Sequence, residues 1–126
     1  MRTDKRPIIK GLDLKTPNSI EEKFQNETLR PIIKMQHDLL VKFFSDYLYS
    51  KKCRFDNLTQ LKRKAFIDAA FKKDTSFKSE LKGIVLGHFT VIEYTIYCSN
   101  KSDFNKRILA IIKQRILSVL GLFSAT

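Results

Sequence analysis

Turn-forming residues are scarce. Four glycines and three prolines in 126 residues, with hydrophobic residues at 43%, suit one compact domain with short connections. A chain of this length buries about two thirds of its unfolded surface, so it needs neither a disulfide framework nor a structural metal to fold. Cysteine is equally sparse: Cys53 and Cys98 lie far apart with no CxxC spacing, and they read as two reduced thiols of a cytoplasmic protein. Long apolar runs are missing as well. Before residue 32 the longest is Ile8-Ile9, too short for the hydrophobic region of a secretion signal, and no stretch approaches a membrane span.

Histidine occurs only at His37 and His88, and neither stands in HxxxH, ExxH or HExxH spacing, so helix-face metal ligation has no local signature. GxSxG, the phosphate-binding glycine loop and GxGxxG are all absent, and neither cysteine has a motif that marks a nucleophile. The residues therefore assign no catalytic centre, no metal ligand and no cofactor. Acidic residues are the last shortage: 13 Asp and Glu face 24 Lys and Arg, a net charge of +11, which favours acidic partners. The basic residues are spread over KKCR (51–54), KRK (62–64), KK (72–73) and NKR (105–107). That spread predicts solvated helix faces and weak, salt-sensitive, sequence-independent nucleic-acid binding. Lys51, Lys52, Arg54, Lys62, Arg63 and Lys64 form the densest positive stretch of the folded part.

What the sequence does have is helix punctuation. Residues 1–18 carry two of the prolines and no helical period, and read as an extended basic arm that docks through Ile8, Ile9, Leu12 and Leu14. Ser19 with Glu22 three residues later is a capping box, and apolar residues from Leu29 to Leu48, including Leu39, recur at helical spacing to about Tyr49. Pro31 interrupts this helix, predicting a kink or fresh start near Asn26–Arg30. A second helix follows the basic turn at 50–57, capped by Asp56 or Asn57, with Leu58, Leu61, Ala65 and Ala69 inward. Asp74 caps a third, which buries Phe77, Leu81, Ile84 and Val85 and stops at Gly87, where a positive φ favours glycine.

Thr90 and Glu93 form a second capping box and start a short fourth helix through Cys98, which makes LGHFT a corner. His88 in that corner reads as a core imidazole bonded to backbone. Ser102 or Asn100 opens the last helix, with Ile108, Ile111, Ile112, Ile116, Val119 and Leu120 inward and Gly121 at its end. The expected fold is all-α: a single-domain bundle of about five helices behind an extended N-terminal arm. A helix-turn-helix at the Gly87 corner fits poorly, since Lys82 and Glu93 fall where apolar residues belong and VIEYTIY has no basic residue for phosphates.

The densest polar stretch is FQNETLRPIIKMQHD (24–38). It places Arg30, Lys34, His37 and Asp38 within about two helical turns, with Gln36 on the apolar face. A buried amide must find partners, so Gln36 marks either a core bond to a neighbouring helix or a pocket. Arg107 and Arg115 present the same choice on the last helix, where Arg115 can pair with an acid such as Glu93. Arg30, Gln36, His37, Glu93, Arg107 and Arg115 are thus the candidate pocket residues. If they converge, they form an anion-binding pocket rather than a general acid/base pair.

The segments FQNETLRPIIKMQHDLL (24–40), LKGIVLGHFTVIEY (81–94) and NKRI (105–108) resemble a family of short all-helical Bacteroidota proteins, over roughly residues 19–120. The resemblance implies a helical fold and no particular activity. Some members carry a glyoxalase label. Metal-dependent glyoxalases use paired βαβββ units with His and Glu ligands on strands, whereas this chain's own residues supply neither the strands nor that ligand set. The resulting expectation is a binding or assembly module, with a homodimer formed through the apolar edges of the first or last helix, including Leu122 and Phe123. A small anion-binding or catalytic protein is the alternative.

Overall fold

The computed structural model of the chain describes residues 19–121. The expectations for the arm at 1–18, and for Leu122 and Phe123 as dimer residues, lie outside the described residues. The described fold is all-α, without a strand. In chain order it comprises α1 (Ile20–Phe24), a π-helical segment (Gln25–Leu29), α2 (Arg30–Met35), α3 (His37–Ser50), a 3-10 turn (Phe55–Asn57), α4 (Gln60–Lys73), α5 (Thr75–Leu86), α6 (Val91–Cys98) and α7 (Lys101–Val119).

Ser19 opens α1 by accepting a hydrogen bond from Glu22 N at 3.0 Å. The interruption expected from Pro31 takes the form of the π segment just before it. Proline has no N–H and its ring crowds the carbonyl four residues back, and a widened turn relieves both. A second interruption is invisible in the periodicity. At Gln36 the backbone turns to φ −95° and ψ 16°, its N–H reaches back to Ile32 and Ile33, and α3 begins afresh. The helix expected to run from Ser19 to Tyr49 is thereby divided, and Leu39 lies 48% exposed instead of joining the apolar stripe.

Thr59, rather than Asp56 or Asn57, caps α4 by accepting from Lys62 N, because residues 55–57 are taken up in the 3-10 turn. The inward face of α4 also differs. Ile67 and Ala70 are buried and Phe66 and Phe71 pack on the core, while Leu61, Ala65 and Ala69 are exposed. Apolar residues occur all round this helix, and burying the larger Phe and Ile side chains releases more free energy. Asp74 caps α5 through Phe77 N. Gly87 ends α5 at φ −62°, so the left-handed backbone expected there is not used; it is found at Gly121, φ 71°, which closes α7.

Thr90 and Glu93 make the full capping box of α6: Thr90 N donates to Glu93 Oε1 at 2.9 Å and Glu93 N donates to Thr90 Oγ1 at 3.1 Å. Asn100, not Ser102, caps α7. α7 packs against the π segment and α2 to α6 through a stripe of Phe104, Ile108, Ile111, Ile112, Ile116 and Leu117, all buried, while Val119 is 48% exposed rather than inward. Two aromatic groups flank this stripe. One gathers Phe24, Phe89, Tyr97 and Phe104; the other centres on Phe77, which meets Phe43, Phe44, Tyr47 and Phe71. No described helix is long and apolar enough to cross a membrane.

Candidate functional site

The polar residues that the sequence singles out do come from helices packed on α7, but they sort into separate pairs. At the break between α2 and α3, the Gln36 carboxamide nitrogen meets Nε2 of His88 in the corner before α6. Gln36 is half-buried and tied to a side chain rather than to helix backbone. His88 is exposed rather than a core imidazole. Glu93 is 3% exposed and serves the α6 cap. Arg107 is held by Asp103 at 2.7 Å and donates Nη1 to Gln25 Oε1 at 2.9 Å, so the π segment is joined to α7 by a side-chain bridge. Neither Gln36 nor Glu93 lines any of the four main cavities among the described residues, and Arg107 lines one of them with Gln25, Arg30 and Lys106.

Arg30, His37 and Arg115 are brought together. They line a cavity of about 300 Å³ with Ile111, Gln114, Ser118 and Val119. Pro31 and the π segment set the direction in which Arg30 leaves α2, and the Gln36 break sets the first turn of α3, from which His37 projects. Arg115 Nη1 lies 3.2 Å from His37 Nδ1. An arginine has no acceptor, so Nδ1 accepts and the ring carries its proton on Nε2. His37, not Glu93, is therefore the partner of Arg115.

Charge in this cavity is not balanced. Arg115 Nε is buried without a hydrogen-bond partner, and Arg30 donates Nε only to the neutral Asn26 Oδ1 at 3.3 Å. Among the described residues neither arginine has a carboxylate partner. A guanidinium that leaves donors unanswered in a half-buried setting presents a ready fork for an oxyanion.

Elsewhere Thr28 Oγ1 is also buried without a hydrogen-bond partner, whereas the Tyr47 and Asp74 side chains are engaged with each other. Tyr47 Oη donates to Asp74 Oδ2 at 2.6 Å, and Asp74 also caps α5 and lies 3.6 Å from Lys51. Burial, then the hydrogen bond to Asp74 and its negative charge, push the Tyr47 phenol up to about 12. The Tyr47 hydrogen bond, followed by that from Phe77 N–H, holds Asp74 below the usual carboxylate range. Asp68 is likewise held low, chiefly by its hydrogen bond from Lys113. Cys53 is half-buried, Cys98 is exposed, and both are free. Among the described residues no group of three His, Cys, Asp or Glu side chains could hold a metal ion.

Comparison with known proteins returns no matching family model, no matching curated protein and no matching solved structure.

Proposed function

We propose that the chain is a small-ligand binding protein whose cavity between α2, α3 and α7 holds a carboxylate or phosphate group. One observation carries the reading: Arg115 Nε is buried and unanswered beside Arg30, with no carboxylate on either arginine among the described residues. A buried donor without a partner costs free energy that an arriving oxyanion returns. His37 orients Arg115 through the Nδ1 contact, leaving the ring's Nε2–H as a further donor. The cavity volume of about 300 Å³ fits a small metabolite and stands at the lower end of ordinary ligand pockets.

The experiment is a thermal unfolding series with inorganic phosphate and with acetate, against chloride at equal ionic strength. One of the two oxyanions should raise the midpoint with saturation, and the stronger identifies the group. Arg115→Met and Arg30→Met should each abolish the rise. An equal rise in the wild type and both variants would refute the reading.

Self-association is a second reading, favoured by the exposure of Met35 and Leu39 on the first helical stretch and of Val119 on the last. Light scattering at micromolar concentration should give twice the mass of the chain; a monomer would dismiss it.

A further inference from the structure

The Arg30–His37–Arg115 cavity does not stand alone. It shares Arg30, Ile111 and Gln114 with a depression walled by Gln25, Lys106 and Arg107. That depression shares Lys106 and Ala110 with a third hollow, where Lys72, Lys78 and Lys113 surround a floor of Phe71 and Leu109. Together they line both flanks of the exposed α7 edge at Lys106 and Ala110, a band that takes in α7 from Asp103 to Val119, about 24 Å at 1.5 Å per residue. Asp68 and Asp103 are the carboxylates in these linings, and both are engaged: Asp68 by Lys64 at 3.2 Å and Lys113 at 2.7 Å, Asp103 by Arg107. Lys72, Lys78 and Lys106, like the two pocket arginines, have no carboxylate partner among the described residues.

We propose that this band binds the sugar-phosphate backbone of a duplex nucleic acid. A single small anion uses one hollow; uncompensated cations spread over one exposed helix face and its flanks suit a polyanion lying across it. Lysines predominate, and their point charges meet phosphates without reading base edges, so the contact is sequence-independent. A duplex fits better than a single strand. Phe71, in the floor, packs on Phe77 with ring centroids 5.1 Å apart, and the exposed Tyr49 and Tyr94 do not border the band, so it has no stacking platform for bases. An anionic bilayer would call for apolar side chains to insert beside the charges, and of the exposed large apolar residues Val119 alone borders the band.

The locus differs from the basic turn at 51–64 that the sequence favours. Fluorescence anisotropy of the full chain with two unrelated duplexes, from roughly 50 to 200 mM salt, decides between them. The variant Lys72→Glu/Lys78→Glu/Lys106→Glu should lose about tenfold or more in affinity, and its log–log salt slope should shrink by about two to three. Lys42→Glu/Arg54→Glu/Lys62→Glu, with the same change in net charge, should lose less than about threefold. If circular dichroism shows that the first variant unfolds, the exposed pair Lys72→Gln/Lys106→Gln replaces it, with the slope falling by about two. Equal losses in band and control variants would overturn the proposal. So would undetectable wild-type binding at the lowest salt, tighter binding to single strands, or tighter binding to polyglutamate than to duplex. Arg30 and Arg115 remain intact throughout, so the small-oxyanion reading stands or falls separately.

Discussion

Tyr47 and Arg115 each carry a polar group into a half-buried place on the fold, but their neighbourhoods treat them differently. The Tyr47 hydroxyl ends on Asp74, Asp74 is also bound by the α5 cap, and the Tyr47 ring lies 4.2 Å from that of Phe77. Arg115 meets one neutral imidazole nitrogen, and its Nε meets nothing. In the first region hydrogen-bonding capacity is used up within the fold, so it contributes to stability. In the second, donors are left over, and a cavity lies in front of them. Surplus polar capacity at a concave place, rather than perturbed titration, is what the oxyanion-binding proposal rests on.

Substitutions in the two regions should therefore separate stability from binding. The largest loss is expected for Phe77→Ala, which empties the centre of the aromatic group at a residue 1% exposed. Urea unfolding should register about 3–5 kcal/mol. A loss below about 1 kcal/mol would show that this region is not where stability resides. Thr90→Ala should remove about 1 kcal/mol by uncapping α6, since the Glu93 N–H loses its acceptor. Replacement by Ser, which keeps the oxygen, should restore most of it.

A smaller effect is expected from the Tyr47–Asp74 bond and appears as pH dependence. The phenol is raised from 10.0 to about 12, so the folded state favours its protonated form. That stabilisation is complete below pH 10 and is lost as the pH rises toward 12. Asp74 is shifted the other way: its contribution is present above the ordinary aspartate range and is lost as the pH falls through its lowered value. Tyr47→Phe should flatten the alkaline limb and part of the acid limb in unfolding curves taken across pH. Unchanged limbs would mean that the bond contributes nothing in solution.

Arg115→Met should change ligand-free stability least, by about 0.5 kcal/mol or less, because the replaced group has an unanswered donor and a single neutral partner. Its effect should appear only with oxyanion present. If the same substitution destabilised the ligand-free protein as much as Phe77→Ala does, the contrast between the regions would fail.

The helix starts were largely legible in the sequence. Ser19, Asp74, Thr90 and Asn100 each accept from an amide three residues ahead, so the pattern and the bond that it encodes lie within one turn. Legibility failed first where local signals competed. Asp56 and Asn57 are good caps by type, yet the 3-10 turn takes them and Thr59 does the capping. Apolar residues all round α4 gave no single face, and its orientation followed from which side chains fill the core beside α5 and α7.

By itself the sequence determined that the described chain is helical, where most helices begin, and that polar residues are concentrated near Arg30 to Asp38. Only the tertiary structure decided which of those residues meet. The Gln36–His88, Arg115–His37 and Arg107–Gln25 contacts join positions 52, 78 and 82 residues apart. A cap is closed by bonds within one turn of its own helix, whereas these pairs depend on how α7 is rotated and seated against its neighbours. The burial of Phe104, Ile108, Ile112 and the rest of its apolar stripe sets that placement, and the polar face follows from it.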